Sequence, residues 1–218
     1  MWLIKSFGKE IKMKIGEIKA HSIMLTCPEV EISYDCEDEK SLSLAIDNLK
    51  CDPNVRDLVL CCVPAINRAF AIIEARGASK KKFVDKRLDK PLSKIAFSDL
   101  ACDIISVSAI YDSDGRTVSF DKIGDEQICV HTKKAGNYTF VYKSKIPRIT
   151  DATSDFADVD LCEGVAEIIP YFVKSELVAN EDLDASRVAK ALFDGILNEY
   201  SESYASSQSC VDTIYYFE

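Results

Sequence analysis

The stretch DIISVSAIYDSDGRTVSFD, residues 103–121, decides how this chain is read. Ile104, Ile105, Val107, Ile110 and Tyr111 form a strand-like run, Ser113-Asp114-Gly115 supplies a turn, and Arg116 to Asp121 returns as a second strand. Working outward, Gly124 marks another turn and Gln127 to Thr132 a third strand. Ala135-Gly136-Asn137 turns again, and Tyr138, Phe140 and Tyr142 alternate along a fourth strand to Lys143. The expectation is a four-stranded antiparallel meander at residues 101–147.

On both sides of it the apolar period becomes helical. Upstream, Ile15, Ile18, Met24 and Leu25 predict a short helix that Pro28 stops. An acidic, solvated loop runs from Glu29 to Lys40. Ser41 then caps a second helix with Leu42, Ala45, Ile46 and Leu49 on one face. A third helix, Asn54 to Arg76, follows Asp52-Pro53, lines one face with Val55, Leu58, Val59, Cys62, Ile66, Phe70 and Ile73, and meets a kink or break at Pro64. Gly77 ends it, and the basic, Pro-interrupted segment to Lys94 reads as a linker.

Downstream, Asp151 to Asp160 is polar and acidic. Glu163 to Ala179 is helical in pattern, with Pro170 disturbing its middle. The clearest stripe in the chain follows between Leu183 and Tyr200: Val188, Ala189, Leu192, Phe193, Ile196, Leu197 and Tyr200. Ser201 to Ser209 is Ser-rich, and Val211 to Glu218 is strand-prone and aromatic. The fold class is therefore α+β: a helical bundle core, an inserted small antiparallel β-domain and an extended C-terminal arm. The divisions are an N-terminal extension (1–14), helical core (15–100), β-meander (101–147), helical core again (148–200) and arm (201–218).

Composition excludes several classes. With 218 residues and 47% hydrophobic content the chain fills a core, so wholesale disorder is out. No uninterrupted apolar run reaches the roughly 18–20 residues of a membrane span. The net charge of −9 argues against a general DNA or RNA binder. The nine cysteines are odd in number and follow no secretory signal, so they read as reduced small hydrophobes, Cys61, Cys62, Cys102 and Cys129 above all. The charge is also zoned: residues 1–20 carry a local +3, residues 79–94 +5 and residues 151–184 −9.

Catalytic patterns are sparse. His21 and His131 stand far apart and no CxxC occurs, so no metal site is expected. Cys162 precedes a helix whose dipole lowers a thiol pKa, but a cap-region thiol is the simpler reading. His131 lies in a strand with no obvious orienting carboxylate in sequence, so a surface or cross-strand role is the simpler reading. Asp155, Asp158 and Asp160 lack the glycine-bent spacing of a calcium loop and read as a solvated acidic loop. No glycine-rich phosphate loop is present. The expectation is no enzyme and no cofactor.

Four segments carry a resemblance. They are Ile15-Gly16-Glu17-Ile18-Lys19-Ala20; Pro64 through Arg76 ahead of the basic segment; Tyr142 through Thr150 closing the sheet; and Asp160 through Leu177, with its LCEGVAEIIPYFVKSEL core, before the closing helix. In this order, over about residues 13–200, the chain resembles the head-tail connector (adaptor) proteins of tailed bacteriophages. The resemblance implies a structural virion protein of the neck, assembled in the host cytoplasm. Such proteins form a homo-oligomeric ring, commonly of twelve subunits, beneath the portal. The ring extends the DNA channel, passes the genome without specific binding and docks the next neck or tail protein, with no membrane involved. It implies portal contacts by Val211, Ile214, Tyr215, Tyr216 and Phe217 in the arm, and subunit or lumen contacts by Asp182, Asp184, Arg187, Lys190 and Asp194. Two alternatives stand beside it: a cysteine-dependent enzyme using Cys162 and His131, and a small binding module using the aromatic tail.

Overall fold

A computed structural model of the chain describes residues 12–206. The fold is α+β, with antiparallel sheets. Two compact units divide it: Met1–Ala78 with Pro147–Glu218, and Ser79–Ile146.

The Ser79–Ile146 unit holds β1 (Lys81–Leu88), β2 (Leu92–Ala96), a 3-10 turn at Phe97–Asp99, β3 (Ile104–Asp112), β4 (Phe120–Ile123), β5 (Gln127–His131) and β6 (Gly136–Ser144). This corrects two expectations. The segment read as a basic linker is two strands, so the β unit begins near residue 79 and not 101. Nor is the unit a four-stranded meander: β6 lies between β1 and β3 in one sheet, and β5 between β2 and β4 in the other. The physical reason lies in the pairing of β1 with a distant strand, from Lys81 opposite Lys143 to Leu88 opposite Gly136. Val84 and Leu88 pack on the core, while the lysines sharing their side of the strand find oxygen partners. Lys82 bonds Asp103 at 2.9 Å and Lys86 the Asp99 carbonyl at 2.8 Å. Long aliphatic stems cover apolar surface while the charged heads stay solvated or paired.

One core serves both sheets. Val107, Ile110, Ile128, Val130, Phe140 and Tyr142 are among its buried members. The alternation of Tyr138, Phe140 and Tyr142 turns all three inward, and each tyrosine hydroxyl has an acceptor: Lys134 O at 2.6 Å for Tyr138, Asp103 at 3.2 Å for Tyr142. Burial pushes the Asp103 carboxyl up, but the hydrogen bonds from Lys82 and Tyr142 outweigh it and hold the group below its ordinary range. The Ser113-Asp114-Gly115 turn forms as expected. The Asp112 carboxylate accepts the Asp114 and Arg116 N–H groups, both at 2.9 Å, and Gly115 takes φ 74°.

The other unit holds α1 (Ile15–Thr26), α2 (Glu39–Cys51), α3 (Arg56–Ala75), α4 (Glu163–Ala166), α5 (Ile169–Leu177) and α6 (Leu183–Ser206). α1 is buried nearly all round, including Ile15, Ile18, Ala20 and Ile23. The acidic segment of residues 151–160 is strapped across its start. Ile15 N–H donates to Ala157 O at 3.0 Å, Gly16 N–H to Asp155 O at 2.7 Å, and Val159 N–H to Met13 O at 2.9 Å. The Ala157 and Asp155 carbonyls satisfy N–H groups that a helix start otherwise leaves open. Gly16 permits the approach, since a Cβ there would come within 2.9 Å of Leu42 Cγ and 3.0 Å of Asp155 O. The segment is thus not simply solvated: Asp155, only partly exposed, pairs with the buried Lys19 at 2.6 Å, and Asp158 pairs with Lys14.

Several helix ends differ from expectation. Asp38, not Ser41, caps α2 by accepting the Lys40 N–H at 3.0 Å; the Ser41 hydroxyl accepts the Asp35 N–H instead. α3 runs unbroken through Pro64. The helix expected over residues 163–179 is split, and Pro170 sits in the first turn of α5, where its missing N–H costs no helical bond. Asn67 on α3 clamps the returning chain, donating to Ile149 O at 2.8 Å and accepting the Ile149 N–H at 3.0 Å.

A loop contact on α1 makes stability pH-dependent. His21 Nε2 and the Tyr34 hydroxyl lie 3.0 Å apart. Burial lowers the His21 pKa, against the raising effect of Glu17 and Glu167, and burial pushes the Tyr34 hydroxyl up to about 12. A depressed histidine contributes stability that is present above its unfolded pKa of about 6.5 and lost as pH falls through its folded value. Urea midpoints at pH 7.5 and 5.5 are therefore expected to fall further apart in the native chain than in His21→Gln. Equal pH dependence in both proteins would refute this role.

Candidate functional site

α6 carries the residues that the sequence singled out for contacts. Its core face is narrower than its apolar stripe. Ala189, Phe193 and Leu197 are buried, with Phe193 stacked at a tilt on Phe172 of α5, ring centres 5.0 Å apart. Val188 and Leu192, expected in the same stripe, are 62% and 47% exposed, which corrects that expectation. They share the outward face with Ala191 and Gly195, one helical turn apart.

The charged residues of the helix are placed as follows. Asp182 caps it, accepting the Ala185 N–H at 2.9 Å. Asp184 pairs with Arg187 at 3.6 Å, both well exposed. Asp194 meets Arg76 of α3 at 3.4 Å, so it serves contact within the chain, and Lys190 is exposed. Val211, Ile214, Tyr215, Tyr216 and Phe217 lie outside the described residues.

α3 has the same surplus of apolar surface. Its buried face is the expected one, including Val59, Cys62, Ile66, Phe70 and Ile73. Its opposite face exposes Leu60, Cys61, Pro64, Ala71 and Ala75, interrupted by Arg68. By length and composition alone this helix is apolar enough to cross a membrane, as the core helix of a protein can also be. That modifies the expectation drawn from uninterrupted apolar runs. Sequence reasoning missed this face because it scored the helix by its best stripe, which hides apolar residues on the other side.

The residues considered for chemistry fall in different units. Cys162 belongs to the helical unit and its carbonyl accepts the Val165 and Ala166 N–H groups at 3.0 Å; α4 behind it is a single turn. His131 belongs to the β unit, where its Nε2 lies 2.7 Å from Asp121 on the adjacent strand. That carboxylate is ten residues away in sequence and diagonal to His131 across the β4–β5 pair, where Asp121 stands opposite Cys129, and that register is not legible in the sequence. Burial pushes the Cys27 and Cys36 thiols up, and Cys62 up to about 12. Cys62 and Cys129 are buried as expected of small hydrophobes, whereas Cys61 and Cys102 are exposed, contrary to it. Among the described residues no group of three His, Cys, Asp or Glu side chains is placed to hold a metal ion. An open cleft of about 400 Å³ sits at the β3–β4 and β5–β6 turns, with Arg116, Lys133 and Lys134 balanced by Asp112 and Asp114 in its lining.

Charge separates by unit. The β unit carries 13 basic against nine acidic residues, +4, and the remainder of the chain 14 against 27, −13. No model of a known protein family matches the chain, and no curated protein sequence matches it.

Proposed function

We propose that the chain is a structural virion protein, a head-tail connector that forms a ring beneath the portal, extends the DNA channel and docks the next neck or tail component. The element order carries this reading: a helical unit interrupted by a β unit, then LCEGVAEIIPYFVKSEL as α4 and α5, then a long closing helix. In this reading the helices form the bundle core of each subunit, and the chain after α6 is an arm toward the portal. Its role is mechanical, with no catalytic step, no cofactor and no membrane. It works at the neck of the particle after assembly in the host cytoplasm.

The electrostatics support a conduit. An excess of 13 negative charges on the helical part of every subunit, multiplied by a ring's copy number, repels phosphate and lets DNA pass without being held. The surplus apolar faces of α3 and α6 support a protein that works in contact with others. Strand-prone Val211 to Phe217 suit addition to a partner's sheet edge, where backbone bonds give affinity and alternate side chains give register.

The test is deletion of residues 206–218. The shortened chain is expected to keep its circular dichroism spectrum and melting temperature, while heads carrying it fail to join tails. Normal joining would remove the arm from the proposal. Imaging of particles that contain the chain is expected to place a closed ring of it at the head-tail junction; its presence elsewhere in the particle would overturn the connector reading.

A further inference from the structure

We infer that the outward faces of α3 and α6 are the two halves of one contact between copies of this chain, joining each subunit to the next head to tail. This rests on the ring reading and names the surfaces that such a ring uses.

A helix with solvent on its outer side normally carries one apolar stripe, and one that is apolar on both sides is covered on both. Here two helices of a single chain have that surplus. α3 offers Leu60, Cys61, Pro64, Ala71 and Ala75; α6 offers Val188, Ala191, Leu192 and Gly195. Ala71 with Ala75, and Ala191 with Gly195, are small pairs one turn apart, which lets two helix backbones come close. A contact between two different faces, made only once between each pair of copies, is heterologous and propagates from copy to copy until it closes. It covers both faces at once, whereas a two-fold contact through either helix leaves the other bare.

The charges select an orientation. Asp57 and Arg68 are eleven residues apart on α3, about 17 Å along the axis. Arg187 and Glu199 are twelve apart on α6, about 18 Å. Laid parallel, Asp57 meets Arg187 and Arg68 meets Glu199. Laid antiparallel in the same span, Asp57 faces Glu199 and Arg68 faces Arg187. The existing partners leave room for the parallel match: Arg187 and Asp184 are 3.6 Å apart and exposed, and Arg68, held by Glu176 at 2.7 Å, stays 56% exposed with further N–H groups to give. The parallel register puts Cys61 beside Ala191 and Pro64 beside Gly195.

The fold of one chain agrees with that orientation. Arg68 meets Glu176, and the neighbouring Ser175 carbonyl accepts the Ser186 hydroxyl at the start of α6. Further along, Arg76 reaches Asp194 and Asn198. Ascending α3 from 68 to 76 therefore ascends α6 from 186 to 198, so the two helices run the same way. In a ring of many subunits the rotation from one copy to the next is small and nearly preserves helix direction, so a parallel contact between α3 of one copy and α6 of the next is compatible with a closed ring.

The experiment mixes the native chain with a Cys61→Ser, Ala191→Cys chain under mild oxidation and maps disulfide-linked peptides by mass spectrometry. A bond between Cys61 and the new thiol at 191 can form only between chains, and it is the expected product. Val188→Asp with Leu192→Asp in the second chain is expected to cut its yield at least about tenfold. Arg187→Asp is expected to cut it about two- to fivefold, with Asp57→Arg in the first chain restoring it. Absence of the linked peptide, a yield indifferent to these changes, or Cys61–Cys61 pairs in its place would overturn the contact. Binding of the native chain to phosphatidylcholine vesicles instead of to itself would do the same. Closed rings that form equally well from Val188→Asp, Leu192→Asp protein would sink the contact and leave the ring reading standing; absence of rings together with absence of the cross-link would sink both.

Discussion

Replacing Asp155 with alanine is expected to destabilise the helical unit by about 3–5 kcal/mol, which lowers its melting temperature by roughly 6–20 °C. The Asp155 carboxylate lies 2.6 Å from Lys19 Nζ and 3.7 Å from Lys50 Nζ, and the Lys19 side chain is 6% exposed. Without the carboxylate, Lys50 swings back to water, but Lys19 is left as a buried ammonium with its partner gone. The penalty belongs to that uncompensated charge and not to the lost attraction. The contrast with Lys19→Met makes the argument specific. There the remaining carboxylate still has Lys50, and methionine fills the space, so a smaller loss is expected. Adding Asp155→Leu to Lys19→Met is expected to restore most of the stability. Urea titrations with unchanged slope would measure each variant. A loss below about 1 kcal/mol in Asp155→Ala would mean that water reaches Lys19 and the pair is not structural.

Asp155 also shows where reading a sequence stops. Its partner is 136 residues away, and nothing in DATSDFADVD distinguishes the carboxylate that reaches Lys19 from the three other aspartates. The same limit hid β1 and β2. Strand signals come from apolar and β-branched alternation, but KKFVDKRL is mostly charged, and its pairing partner begins at Gly136. Edge strands with lysines are a recognised way to discourage edge-to-edge association, so the charge that disguised the strand is part of its function as an edge. What was legible was local. The periods of α2 and α3, the turn at Asp112–Gly115, the alternation in β6 and the stop of α1 before Pro28 are each set within a few residues. Even the error at α2 was one of competition: Asp38 and Ser41 are both capping types, and the helix starts at the earlier one.

α6 presents the sharper case, because the stripe was legible and its meaning was not. Val188, Ala189, Leu192 and Phe193 look equivalent in periodicity, yet the fold separates them into a core pair and an outer pair. Composition cannot say whether an apolar stripe is wide because the core is wide or because two surfaces are covered. Burial decides it, and it leaves Val188 and Leu192 for a partner.

That division yields the second large effect. Phe193→Ala is expected to cost about 3–5 kcal/mol, since Phe193 is fully buried and stacked on Phe172, and α6 is held mainly through α5. Removing the ring leaves a cavity beneath the helix, and hydrogen exchange of the α6 amides is expected to rise toward that of an unprotected helix. Leu192→Ala, one residue earlier, is expected to change the stability of a single chain by less than about 1 kcal/mol, because about half of that residue is already in water. The two variants thus separate folding from association. Phe193→Ala loses stability at every protein concentration, whereas Leu192→Ala loses only what self-association adds, and that difference grows with concentration. Comparable losses for both residues in dilute protein would mean that Leu192 belongs to the core, and the outer face of α6 would lose its claim to a neighbour.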